Sequence, residues 1–216
     1  MRAARGFVIA LLGAESTGKT TLALALRDTL ALIESRSVVV VPETLREFCD
    51  THGCTPRRDE QQAIAAEQTR RIDAAASTHD IVIADTTALM IAVYSDIVFG
   101  DASLYASAER AHARCGLTLL TALDLPWQPD GLQRDGPQVR EPVDARVRAA
   151  LGRAGSAYSV VFGTGPERLE AALACVRRAL DPLAADATDN DGARWQWHCE
   201  RCGDAACERR RVLRVL

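Results

Sequence analysis

Residues 7–22 of the chain read FVIALLGAESTGKTTL, and every later inference starts from them. Residues 6–12 are a short apolar run suited to a buried strand, and residues 18–32 carry the spacing of an amphipathic helix. Between them, GAESTGKT at 13–20 fits the pattern G-x-x-x-x-G-K-[ST] in the setting that pattern requires, after a strand and opening a helix. Gly13 and Gly18 permit backbone angles and close approach that a side chain would block. Successive N–H groups of Ala14, Glu15, Ser16 and Thr17 can therefore turn inward around a phosphate at a helix N-terminus. Lys19 would reach the β- and γ-phosphates, and Thr20, followed by Thr21, offers a hydroxyl to magnesium. Of the 26 lysines and arginines in the chain, Lys19 is the only lysine. A compact ammonium on a flexible stem suits a loop closed around phosphate, whereas a planar guanidinium does not.

Further apolar runs at 37–41, 80–84, 117–123 and 158–163 alternate with helical patterns at 59–78, 88–99, 104–114, 142–154 and 166–181. This β-α-β-α order predicts an α/β fold of the P-loop NTPase kind: three layers, α/β/α, around a five-stranded parallel sheet, with ligands at the carboxyl ends of the strands. Residues 1–181 read as one such domain. From Pro182 the pattern dissolves into a linker and a Cys-containing tail over 182–216.

Two carboxylates stand where the next strands end. Ile81–Ala84 run into Asp85, placed to serve magnesium, and a strand-end helix cap is the plain alternative. Val38–Val41 end at Pro42 and Glu43, a candidate to accept a proton from a substrate hydroxyl; the plain alternative is an acid favoured at a helix N-terminus. Residues 126–141 hold three prolines and two glycines, which predicts an irregular flap. Trp127, Asp130, Arg134 and Arg140 cluster there, and arginines on a closing flap could stabilise a transferring phosphoryl group and exclude water.

A formal charge of −3 and a pI near 5.8 argue against a nucleic-acid binder and favour a small ligand. No apolar stretch reaches the roughly 20 residues that cross a bilayer, so no membrane partner and a cytoplasmic location are expected. The chain has seven cysteines, an odd number, and Cys49, Cys54, Cys115 and Cys175 are scattered through regular segments, as reduced thiols would be. In the tail, His198, Cys199, Cys202 and Cys207 offer a four-ligand zinc set, although their spacing is irregular. A redox-sensitive thiol cluster and an inert tail are the other readings.

Taken together, GAESTGKTTL at 13–22, PETLREF at 42–48, IADTT at 83–87 and Trp-x-x-Asp-Gly at 127–131 resemble the nicotinamide riboside kinase domain of the bacterial NadR-type proteins. These belong to the nucleoside and nucleotide kinase-like P-loop enzymes, and related stand-alone chains carry an AAA-type ATPase label. The resemblance spans about Phe7 to Leu180. It implies ATP- and magnesium-dependent phosphorylation of the 5′-hydroxyl of nicotinamide riboside, a step of NAD biosynthesis. On this likeness Glu43 and Arg46 border the acceptor ribose, and Asp85 serves the metal or the hydroxyl. Trp127 lies beside the nicotinamide ring, and the loop from Gly163 to Glu167 cradles adenine; Asp130, in the same motif, is a further candidate for binding substrate. The His-x-Gly-His motif of the family's nucleotidyltransferase domain is not found in this sequence, so adenylyl transfer is not expected of it.

A small-molecule kinase is therefore the leading expectation. The rival class is an ATP-hydrolysing switch whose tail binds a partner. A monophosphate kinase would need arginines for an acceptor phosphate, and Arg46 with Arg70 or Arg71 could supply them.

Overall fold

The computed structural model describes residues 5–33, 35–128 and 136–181. Five strands, β1 (Phe7–Leu12), β2 (Val38–Val41), β3 (Ile81–Asp85), β4 (Leu117–Thr121) and β5 (Ser159–Val161), form a parallel sheet in the order β2-β3-β1-β4-β5. Near-continuous apolar strands of this kind suit a sheet covered on both faces. All five strands lie where the sequence predicts, with ends shifted by one or two residues. Among the described residues the connections hold seven α-helices: α1 (Lys19–Ile33), α2 (Thr44–His52), α3 (Gln61–Ala76), α4 (Ala88–Phe99), α5 (Tyr105–His112), α6 (Arg140–Arg153) and α7 (Gly165–Leu180).

Alternation along β1 divides the layers. Ile9 and Leu11 face Leu22, Leu26 and Leu30 of α1 and Leu173 and Val176 of α7. Val8 points the other way, towards Ile72 and Ala76 of α3, and Leu12 joins the cluster built around α4 and α6. In α4, residues Leu89 to Val93 are all buried. A helix apolar on every side has to lie inside the layer, and this one packs among α3, α5 and α6. None of the described helices is long and apolar enough to cross a membrane. Among the described residues, Cys49, Cys54, Cys115 and Cys175 form no disulfide.

Two expectations need correction. Helix α2 is not among the expected helices, although the plain alternative for Glu43 places a helix start there: TLREFCDTH is only nine residues long, and Leu45, Phe48 and Cys49 turn inward before Gly53 ends it at φ 67°. The stretch 126–141 is not irregular throughout. Pro137 presets a helical φ, a 3-10 turn runs over Pro137–Val139, and Arg140 is already the first residue of α6. Asp130, Arg134 and the tail residues His198, Cys199, Cys202 and Cys207 lie outside the described residues.

His112 ties this scaffold together from within. It is 2% exposed, its Nδ1 lies 3.2 Å from the hydroxyl of Thr87, which caps α4, and its Nε2 lies 2.9 Å from the hydroxyl of Thr118 in β4. Burial penalises the imidazolium and lowers the pKa from 6.5 to about 4. A base whose folded pKa lies below its unfolded value binds its proton more weakly when folded. Stability is therefore full above pH 6.5 and is lost as the pH falls towards 4. Chemical denaturation should show His112→Asn costing stability at pH 7.5, and that cost shrinking by roughly 2–3 kcal/mol at pH 4.5. Identical pH dependence in the two proteins would contradict this.

Candidate active site

The loop between β1 and α1 adopts the conformation its glycines allow. Gly13 has φ +147°, and a Cβ there would stand 2.1 Å from the Thr121 hydroxyl of the neighbouring strand. Gly18 has φ +75°, and Ser16 is left-handed although it is not glycine, at φ 56°. Strain of this kind persists only where surrounding contacts enforce it. Thr17 supplies part of that enforcement. Its side chain has no exposure, and its hydroxyl donates to Ala14 O at 2.8 Å and pairs with Thr121 Oγ1 at 2.6 Å. Thr17 and Ala14 therefore serve a ligand through backbone only.

Lys19 Nζ donates to Gly13 O at 2.9 Å and Ala14 O at 2.8 Å, so the ammonium lies across the loop's own carbonyls, from which an arriving phosphate could draw it. Thr20 Oγ1 donates to Asp85 Oδ2 at 2.6 Å. Asp85 is 3% exposed, and its Oδ1 is buried with no hydrogen-bond partner among the described residues. A hydroxyl beside a carboxylate with an unsatisfied oxygen is a hard oxygen-donor pair, and it fits magnesium. Thr86, next to this carboxylate, is fully buried at φ 75°, so the end of β3 is strained at the same point.

Glu43 sits beyond β2 as the N-cap residue of α2, 8% exposed, and its side chain does not cap the helix. The bland alternative for Glu43, an acid at a helix N-terminus, thus describes its position correctly. Its carboxylate lies 3.7 Å from Arg46 Nε. Gln68, unmarked by any motif, holds both carboxylate-bearing segments. Fully buried on α3, it accepts from Thr44 N at 2.7 Å and donates to Pro42 O at 3.3 Å and Thr86 O at 3.5 Å.

A cavity of about 510 Å³ opens over residues 16–21, with Arg46 on one side and Leu125, Pro126 and Gln128 on the other. That volume is typical of a small-molecule site. Ser16 fastens the root of the 126–141 stretch to the phosphate loop: its hydroxyl accepts from Gln128 N at 2.8 Å and donates to Gln128 O at 3.0 Å. Trp127 is half-buried, with its indole N–H unpartnered among the described residues, and it is not part of the cavity wall. Arg140 is 7% exposed rather than a solvated loop arginine. One terminal nitrogen donates to Leu125 O at 2.8 Å, while Nε and Nη2 have no hydrogen-bond partner among the described residues. Burial lowers its pKa, opposed by the charges of Asp124 and Glu15. Arg140 is thus a desolvated cation within electrostatic reach of Glu15 in the phosphate loop, although it is not part of the cavity wall.

Sequence reasoning also missed Asp124 and Arg168. Arg168, 4% exposed near the start of α7, donates to Asp124 Oδ1 at 2.9 Å, Gly163 O at 2.8 Å and Thr17 O at 2.9 Å. Gly163, at φ +92°, in turn donates to Asp124 Oδ2 at 2.6 Å. A half-buried acid after strand 4 and a buried arginine after strand 5 leave no local signature.

The sequence model of the AAA domain family matches residues 8–168. No curated protein matches the sequence. Among solved structures, a NadR protein in complex with NAD and AMP-PNP aligns with a TM-score of 0.66 at 18% identity, over 81% of this chain and 49% of its own. A NadR protein in complex with NR gives 0.66 at 18%, over 81% and 50%. Thymidylate kinase from Ehrlichia chaffeensis gives 0.56 at 15%, over 82% of this chain and 100% of its own. The chain thus spans about half the length of the NadR structures it matches. At these identities the likeness shows the fold, a three-layer α/β/α domain shared with P-loop kinases. The tight fit at Gly13 makes it testable. In urea titrations Gly13→Ala should cost about 3 kcal/mol through overlap with Thr121 and the unfavourable φ, and a loss below about 1 kcal/mol would contradict the contact.

Proposed function

The chain belongs to the AAA domain family, and from that premise we propose that it is an ATP- and magnesium-dependent small-molecule kinase whose acceptor is a nucleoside hydroxyl, nicotinamide riboside first among candidates. The observation that favours a nucleoside over a nucleotide acceptor is where the arginines that an acceptor phosphate would need are placed. Arg46 lines the cavity and lies 3.7 Å from the Glu43 carboxylate, while Arg70 and Arg71 of α3 are not part of the cavity wall and pair with Glu67, and Arg71 also with Glu47. A monophosphate kinase would present such arginines to the acceptor phosphate, and here, of the three, only Arg46 reaches the cavity. Nicotinamide riboside is favoured by the motif set at 13–22, 42–48, 83–87 and 127–131, and by the common fold with a NadR protein crystallised with NR.

In this reading the N–H groups of residues 13–18 hold the β-phosphate, and Lys19 transfers from the loop carbonyls to the β- and γ-oxygens. Thr20 and Asp85 would hold magnesium, which neutralises charge on the phosphate oxygens. Arg140, joined by Arg134 from the flap, balances charge on the transferring group. Glu43 takes the proton of the acceptor hydroxyl, beside Arg46, with Trp127 and Asp130 on the acceptor side. The kinase domain is assigned to residues 1–181.

The test is ADP release from ATP and magnesium with a panel of nucleosides, Lys19→Ala serving as the blank. Release should depend on one acceptor and cease with EDTA. Glu43→Gln should lower kcat about 100-fold or more while ATP affinity stays unchanged. Release that is equal with and without every acceptor, yet lost in Lys19→Ala, would favour the ATP-hydrolysing switch.

A further inference from the structure

The bond between Asp124 and Arg168 costs desolvation at both ends, since their side chains are only 16% and 5% exposed. A buried ion pair seldom adds net stability over an apolar replacement. Its geometry is the more informative feature. Through one guanidinium it joins three loops at the carboxyl edge of the sheet: the phosphate loop at Thr17 O, the turn after β4 at Asp124, and the turn after β5 at Gly163. Asp124 closes the ring by accepting from Gly163 N.

The sheet order shows what lies between these loops. The donor pair Thr20 and Asp85 marks the γ-phosphate end of a bound triphosphate, and Asp85 ends β3, on one side of β1. Strands β4 and β5 lie on the other side of β1. A nucleotide with its γ-phosphate at Asp85 therefore extends its nucleoside half towards the turns carrying Asp124 and Gly163. At Gly163 the φ of +92° favours glycine, and a Cβ there would stand 3.5 Å from Glu167 Cβ, so the turn packs directly on the start of α7.

We propose that Asp124 and Arg168 form a positioning device that fixes the gap between the phosphate loop and the Gly163 turn, so that one nucleotide is gripped at both ends. The inference rests on the nucleotide reading above and adds to it a pair of residues that touch no substrate themselves. Only a planar fork reaches Asp124 and Thr17 O from different nitrogens, so lysine at 168 would hold one loop and release the other.

Titrations with ATP and, separately, with inorganic tripolyphosphate, both with magnesium, separate the two grips. Arg168→Lys and Asp124→Asn should each weaken ATP about tenfold or more, the effect of losing hydrogen bonds to a charged group. Tripolyphosphate, which has no nucleoside half, should bind nearly as it does to the unaltered protein. Asp124→Asn is almost isosteric and carries the test if Arg168→Lys fails to fold. Equal losses for both ligands would reduce the pair to a prop of the phosphate loop and overturn the proposal, as would unchanged ATP affinity. If the unaltered protein binds tripolyphosphate no more weakly than ATP, the nucleoside grip does not exist. If it binds neither, the nucleotide reading itself falls and the proposal with it.

Discussion

A loop that points its backbone N–H groups at an anion cannot use those groups to hold itself together. This constraint governs the architecture around residues 13–20. The loop has to be shaped from outside, and side chains from distant elements do it. Thr121 on β4 meets Thr17 from beneath, Arg168 on α7 takes Thr17 O, and Gln128 clips Ser16 from above. The contacts of Thr121 and Arg168 are buried, where a net hydrogen bond contributes about 1 kcal/mol but an unsatisfied partner costs more, whereas the Gln128 clip is exposed. Preorganisation is the result: the positive φ at Gly13, Ser16 and Gly18 exists before a ligand arrives.

The same logic extends to the acids. Asp85 keeps one buried oxygen unsatisfied, an arrangement that weakens a fold unless a ligand completes it. Gln68 restrains the ends of β2 and β3 with one amide, so Glu43 and Asp85 are positioned by a residue that performs no chemistry. Arg140 is a second unsatisfied group, a guanidinium with two nitrogens buried and without hydrogen-bond partners among the described residues, close enough to feel the charges of Asp124 and Glu15. A buried carboxylate at the end of β3 and a buried guanidinium at the start of α6 thus stand near the phosphate loop with hydrogen-bonding capacity in hand.

What could be read from the sequence was what is written locally. The phosphate loop is a contiguous pattern, the strands are runs of apolar residues, and Asp85 and Glu43 follow directly from strand ends. What could not be read depends on long separations. Arg168 meets Thr17 across 151 positions and Asp124 across 44, and no periodicity marks either residue. Helix α2 was hidden because it is short: nine residues give little more than two turns of pattern, and threonine, cysteine, aspartate and histidine among them are weak helix formers. Arg140 was misplaced because proline and glycine composition masked the turn that starts α6, and so a buried cation read as a loop arginine.

Transfer of a phosphoryl group to an organic hydroxyl, as proposed, can be followed by incubating the protein with γ-labelled ATP, magnesium and nicotinamide riboside and separating the labelled products. A kinase leaves label in the nucleoside monophosphate, with little in inorganic phosphate. Label found only in inorganic phosphate, with this and every other nucleoside, would contradict the proposal.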